Sequence, residues 1–225
     1  MSLTIVKYNA GNIQSVLYAL ERIGVEAVVT DDHEAIRTAS KVIFPGVGEA
    51  SSAMRYLRER GLDQVLKSLE QPVLGICLGM QLMCAYSEEN DTDCLGIFDE
   101  QVRLFRPGQP SGAALAAEAA ASREGLLPAG DGGSFGVAPV LKVPQIGWNS
   151  AYNLQTPLFK DIPEDSYFYF VHGYYAAIGE HTIATTDYVQ PYSAALHKGN
   201  FYGAQFHPEK SARWGEQLIR NFLAI

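Results

Sequence analysis

Three short stretches of this 225-residue chain place reactive side chains where chemistry needs them. The first is Val73-Leu74-Gly75-Ile76-Cys77-Leu78-Gly79-Met80-Gln81. An apolar strand runs into Gly-x-Cys-x-Gly and then into a helix expected over 80–86, the strand–turn–helix setting of an exposed nucleophile. The sharp turn forces the cysteine backbone into a sparsely populated conformation, and flanking glycines remove side chains that would collide there. A helix N-terminus beside the sulfur favours negative charge on it. The N–H of Leu78 would face an oxyanion on the attacked carbon. A buried cysteine between two packing glycines is the competing reading, and the pentapeptide alone does not choose.

The second stretch is Phe206-His207-Pro208-Glu209. In an extended segment, residues two apart share a side, so Glu209 can orient His207 while His207 serves Cys77 as a base. Pro208 stiffens the link between them. The third is the turn Pro45-Gly46-Val47-Gly48, at the end of a strand expected over 41–44. Its two glycines let backbone N–H groups approach a substrate. A phosphate loop is the rival, but neither GxGxxG nor GxxxxGK[ST] occurs in the chain.

These residues need a scaffold that brings them to one edge. Strands are expected over 3–8, 25–30, 41–44 and 73–76, with helical spacing over 12–23 and a short helix near 34–39. Strands separated by helices imply right-handed βαβ units and a mostly parallel sheet covered on both faces, an α/β fold of three layers. Ligands of such sheets bind beyond the carboxyl ends of the strands, where all three stretches lie. Beyond about residue 141 the pattern changes. Runs over 167–176, 181–187, 193–197 and 201–206 read as antiparallel strands appended to the sheet, and a helix over 212–223 closes the chain.

Composition narrows the partners. With 47% apolar and 19% charged residues the chain is a packed globular domain. A net charge of −8 argues against nucleic acid and anionic membrane surfaces. Cysteines 77, 84 and 94 form neither a disulfide framework nor a paired zinc motif, and no metal is expected. The first residues enter a strand with no secretory leader pattern, so a cytoplasmic place is expected. A single domain over 1–225 is expected, with an Ala/Gly-rich surface insertion at about 108–139 that shows no core-forming pattern. His33, His181 and His197 have no supporting context, and the aromatic run Tyr167-Phe168-Tyr169-Phe170 reads as core and sheet surface.

Taken together, the turn 45–48, the segment 75–81 and His207-Pro208-Glu209 resemble the class I, triad-type glutamine amidotransferases. Tyr8-Asn9-Ala10-Gly11-Asn12, Val143-Pro144-Gln145-Ile146-Gly147-Trp148-Asn149, Phe170-Val171-His172-Gly173-Tyr174-Tyr175-Ala176 and Lys210-Ser211 resemble, more narrowly, the glutaminase subunits of imidazole glycerol phosphate synthases. The resemblance covers almost the whole chain except about 108–139, where the family usually has a short turn. It implies a flavodoxin-like fold in which Cys77, His207 and Glu209 hydrolyse L-glutamine through a glutamyl thioester. Val47 or Gly48 and Leu78 would donate to the oxyanion. Gly46, Gln81, His172, Gly173 and Tyr174 would hold the glutamine. Asn12, Trp148, Asn149 and Lys210 would face a (β/α)8-barrel cyclase subunit, making a heterodimer that channels ammonia and needs no cofactor. Gln81 as an ordinary polar helix residue, His172 as a satisfied strand histidine and Lys210 as a solvated charge remain competing readings. A stand-alone γ-glutamyl hydrolase, a small-molecule binding module and a non-catalytic subunit are the alternative functions.

Overall fold

A computed structural model describes residues 2–9, 11–108 and 141–225. The expected insertion therefore lies, from residue 109 onward, outside the described residues. Strands β1 (Leu3–Val6), β3 (Lys41–Gly46) and β4 (Val73–Cys77) are buried at every position. That is the burial expected of parallel strands covered on both faces. Between them come α1 (Ile13–Arg22), β2 (Val28–Thr30), α2 (His33–Thr38), α3 (Ala50–Glu59) and α4 (Leu62–Lys67). Helix α5 (Leu78–Met83) starts directly after β4, two residues before the expected position.

The main sheet has seven strands and is completed by β11 (Thr182–Asp187), β12 (Pro191–Lys198) and β13 (Phe201–Ala204). Its order is β11-β12-β13-β4-β3-β1-β2. The five strands from β13 to β2 are parallel, and β12 and β11 extend the β13 edge antiparallel. Thus β4 sits between β3 and β13, and the ends of these three strands carry the three reactive stretches.

Two strand expectations need correction. The run 201–206 is not an antiparallel appendage, since β13 pairs parallel with β4 inside the main sheet. The run 167–176 is not one appended strand. It breaks at Gly173 into β9 (Ser166–His172) and β10 (Tyr174–Ala176), which belong to different sheets. The His172 ring folds the chain there by donating from Nδ1 to the Tyr174 carbonyl at 2.7 Å. β9 pairs with β8 (Gln145–Ala151) in a two-stranded ribbon. β10 joins β7 (Gln101–Leu104), β5 (Tyr86–Ser87) and β6 (Thr92–Asp93) in a small second sheet.

The core occupies both faces of the main sheet. On one, Val16 and Leu20 of α1 meet Phe168, Phe170 and, from the C-terminal helix (Ala212–Ala224), Leu218 and Phe222. On the other, Ile36, Met54, Leu57, Leu62 and Leu66 pack with Met80 of α5. Each such side chain stabilises the fold by about 1.5–3 kcal/mol relative to exposure. Stacking of Phe168 on Phe206 at 4.1 Å ties the β8–β9 ribbon to the segment that precedes His207.

Candidate active site

Cys77 ends β4 and caps α5 with φ 52° and ψ −109°, the left-handed backbone that a nucleophile turn requires. The glycines beside it are there for close packing. A Cβ on Gly79 would lie 1.9 Å from the Phe44 carbonyl oxygen, and one on Gly75 would lie 2.9 Å from the Met80 nitrogen. Without them α5 could not press onto β3 and β4, and the turn would open. As the first residue of α5, Leu78 has an N–H with no partner inside the helix. Gly48 has φ 122°, and an added Cβ would meet nothing, so its conformation rather than its space demands glycine.

His207 is fully buried, and Glu209 is 5% exposed. Glu209 accepts from His207 Nδ1 at 2.7 Å. The pair does not arise from the extended segment expected: His207 is extended, but Pro208–Lys210 forms a 3-10 turn that swings Glu209 under the ring. Because Nδ1 donates to the carboxylate, Nε2 is the nitrogen left to exchange a proton. Burial works to lower the pKa of this ring; the Cys77 side chain and Glu209 overcome it and raise the pKa to about 10. Burial pushes Cys84 well up and Cys94 up to about 12, which disfavours the thiolate form at both.

Asn12, expected at a partner surface, is turned into this pair. It has φ 75° at the start of α1, and its Nδ2 donates to Glu209 Oε1, the oxygen that also holds His207. Sequence reasoning missed this role because positions 12 and 209 are related only by the fold.

A cavity of about 190 Å³ opens over the sulfur, lined by Val47, Gly48, Cys77, Leu78, Gln81, Glu89, Val171, His172, Gly173 and Tyr174. Of the residues expected to hold substrate, Gly46 alone is absent from this wall. It pairs with Cys77 in the sheet, and a Cβ there would strike the Tyr8 hydroxyl at 2.2 Å. Gln81 uses Nε2 twice, donating to the Tyr174 carbonyl at 2.8 Å and to Gln205 Oε1 at 3.0 Å. His172 donates from Nδ1 to the Tyr174 carbonyl, and its Nε2 lies 3.1 Å from the Tyr192 hydroxyl. Burial lowers its pKa to about 4, with the Tyr174 carbonyl opposing and the His207 charge adding, so the ring is neutral.

Glu89 is the lining residue that the sequence did not flag. Its Oε2 accepts from the Ala50 N–H at 2.7 Å. Burial raises its carboxyl above the usual range, the Ala50 bond opposes, and Glu49 adds. Position 89 lies in the turn 88–91, within the polar run Ser87-Glu88-Glu89-Asn90-Asp91-Thr92-Asp93, where nothing in the pattern singles out one carboxylate.

The β8–β9 register decides which residues face outward. Ile146, Trp148 and Tyr167 share the outer face and are more than half exposed, at 64%, 51% and 58%. Lys210 extends over Tyr169 of the same face, 6.0 Å from the ring centroid. Asn149 falls on the other face and donates to the Asp187 carbonyl at 2.7 Å. This ribbon touches His207 directly, since His207 N–H donates to the Tyr169 carbonyl at 2.9 Å.

Among the described residues no group of three or more His, Cys, Asp or Glu side chains is placed to hold a metal ion. Nor is any described helix long and apolar enough to cross a membrane.

The family model for glutamine amidotransferase class-I matches residues 4–225. The chain belongs to that family. Among its relatives, the imidazole glycerol phosphate synthase subunit HisH of Bacteroides fragilis is 51% identical over 225 residues, covering all of both chains. The subunit of the same name from Bacteroides thetaiotaomicron is 48% identical, again over all of both chains. That of Vibrio parahaemolyticus is 38% identical and covers 98% of this amidotransferase and 97% of its own length. Solved structures share the fold at low identity. A putative GMP synthase subunit from Thermoplasma acidophilum gives a TM-score of 0.67 at 16% identity, covering 100% of this chain and 93% of the other. A structure described as a glutamine amidotransferase gives 0.65 at 16%, covering 100% and 98%.

Proposed function

We propose that this chain is the glutaminase subunit of an imidazole glycerol phosphate synthase, acting in the cytoplasm as one half of a heterodimer. The observation that carries the chemistry is the 2.7 Å bond from His207 to Glu209, which leaves Nε2 of a fully buried ring to take the Cys77 proton. The relatives supply the assembly: each bears the name of a synthase subunit.

The cavity suits one molecule of L-glutamine. Both hydrogens of the Gln81 amide nitrogen are committed to protein oxygens, so the group Gln81 offers a ligand is its carbonyl oxygen. With the Glu89 carboxylate in the same wall, that oxygen suits an α-ammonium group. The side-chain amide of the substrate then lies over Cys77. The thiol proton passes to His207 Nε2, and the sulfur attacks the amide carbon. The resulting oxyanion meets the N–H groups of Leu78 and of Val47 or Gly48. As the C–N bond breaks, His207 returns the proton to nitrogen and ammonia leaves. Water attacks the thioester with His207 taking its proton, the C–S bond breaks, and glutamate departs as Cys77 is reprotonated.

Ammonia released into solvent would be lost, so a partner surface near the mouth is part of the reading. The exposed Ile146, Trp148 and Tyr167, with Lys210 beside them, suit a partner that buries an apolar patch with a basic rim, here a (β/α)8-barrel cyclase. Segment 108–139 belongs to the same single domain in this reading.

The test is glutamate release from glutamine with the cyclase partner and its ribotide ligand added or omitted, in the parent protein and in Cys77→Ala. Ligand-stimulated release abolished by Cys77→Ala is the expected result. Release indifferent to the partner would replace this reading with a stand-alone γ-glutamyl hydrolase.

A further inference from the structure

The Cys77 sulfur has two polar neighbours besides its base. Its S–H donates towards the Val171 carbonyl at 3.9 Å, and the Gln205 amide nitrogen lies 3.8 Å away on another side. Gln205 is wholly buried, a costly place for an amide without partners. Its orientation follows from a chain of bonds. The Tyr174 carbonyl can only accept, so the nitrogen of Gln81 must face it. The second hydrogen on that nitrogen points at Gln205 and requires an oxygen there. Gln205 therefore presents nitrogen, not oxygen, to the sulfur. No amide in this chain can be reversed without setting donor against donor or acceptor against acceptor.

We propose that Gln205 is a further catalytic residue, whose amide N–H holds the Cys77 thiolate by a direct hydrogen bond, and that Gln81 is the positioning residue that fixes this amide. The inference rests on Cys77 being the nucleophile. In the thiol form the sulfur gives its proton towards Val171. Once the proton has passed to His207, the Val171 oxygen repels the sulfur's charge and the Gln205 N–H attracts it. The sulfur thus has a partner in each protonation state, and the pocket wall formed by Gln81 and Tyr174 is wired to the reacting atom. A full-strength bond to a charged group is worth about one to two pH units, and a contact as long as this one sits at the lower end.

The experiment follows alkylation of Cys77 by iodoacetamide against pH in the isolated chain, with the Cys77 peptide resolved by mass spectrometry. Gln205→Met keeps the volume and removes the donor; the midpoint for Cys77 rises by about one pH unit. Gln205→Glu still accepts from Gln81 but sets an anion against the sulfur, and raises it further. Gln81→Met, which does not touch the sulfur, moves it in the same direction by freeing Gln205 to turn. The other titratable groups facing the sulfur stay in place throughout: His207 and Glu209 after β13, His172 of β9, Tyr8 after β1, Tyr192 of β12 and Glu89 across the cavity. An unchanged midpoint in folded Gln205→Met overturns the proposal. Should that variant not fold, an unchanged midpoint in Gln81→Met does so instead. Glutamate release that survives Cys77→Ala would remove the nucleophile itself, an outcome separable from loss of the Gln205 role alone.

Discussion

Replacing Gly215 by alanine should disable the site from a place no substrate reaches. Gly215 lies in the C-terminal helix, and a Cβ there would sit 1.9 Å from the Pro208 carbonyl oxygen and 2.8 Å from the Ser211 Cβ. To reach even the shortest tolerated contact, the two segments must part by about 1 Å. The helix is anchored by the fully buried Leu218 and Phe222, whereas Pro208–Lys210 is a single 3-10 turn. The turn therefore gives way, and it carries Glu209. A displacement of about 1 Å in a group that orients the base costs on the order of 100-fold in turnover. Overpacking costs about 1–3 kcal/mol, of which up to about 1 is returned because alanine is the better helix former. For a chain of this size the net change lowers Tm by a few degrees. The assay is glutamate release with the cyclase partner present, alongside thermal melts, with Glu216→Ala on the same helix as the control. The KM for glutamine stays near the parent value, because Gly215 does not line the cavity. A folded Gly215→Ala protein with kcat within a few-fold of the parent would refute the reasoning, since it would show that the helix yields and the turn does not.

Asn12→Ala removes a donor to the Glu209 carboxylate and should lower kcat about tenfold with KM unchanged; steady-state kinetics check it. For His207, NMR titration of the ring should give a midpoint near 10 in the parent and a clearly lower one in Cys77→Ala, because the Cys77 side chain is the first of the groups that raise it. Since the folded value lies above the ordinary 6.5, the stability this ring contributes is fully present below pH 6.5 and is lost as pH climbs towards about 10. Gly46→Ala should cost about 1–3 kcal/mol in urea unfolding, because its Cβ would meet the Tyr8 hydroxyl. Combining it with Tyr8→Phe should recover a substantial part of that loss; strict additivity of the two changes would show that they do not touch.

The strands that carry the chemistry were legible because burial on both faces writes continuous β-branched and apolar runs, as in Val73–Ile76, and because a Gly-x-Cys-x-Gly turn has few structural uses. The split of 167–176 was not, since it depends on a ring-to-carbonyl bond across Gly173 that no periodicity records. The partner-facing residues came from the family resemblance, which carries no strand register: Trp148 and Asn149 are neighbours in sequence but lie on opposite faces of the ribbon. Asn12, Glu89 and Gln205 contribute through contacts between residues far apart in the chain or through a shared cavity wall. Side-chain type gives no hint of such geometry, although Gln205 does stand two residues before the base, the spacing at which extended residues share a side.

The pairing of β4 with its two neighbours bears on when the site comes into being. Gly75 is matched to Phe44 on one side and to Gly203 on the other. The first partner is close in sequence, and the second is synthesised only near the end of the chain. A growing polypeptide can therefore present its thiol turn long before it owns a base, and the long loop between the two must be closed against chain entropy. In the proposed reaction, a growing chain that stops before residue 207 carries the sulfur without the group that takes its proton.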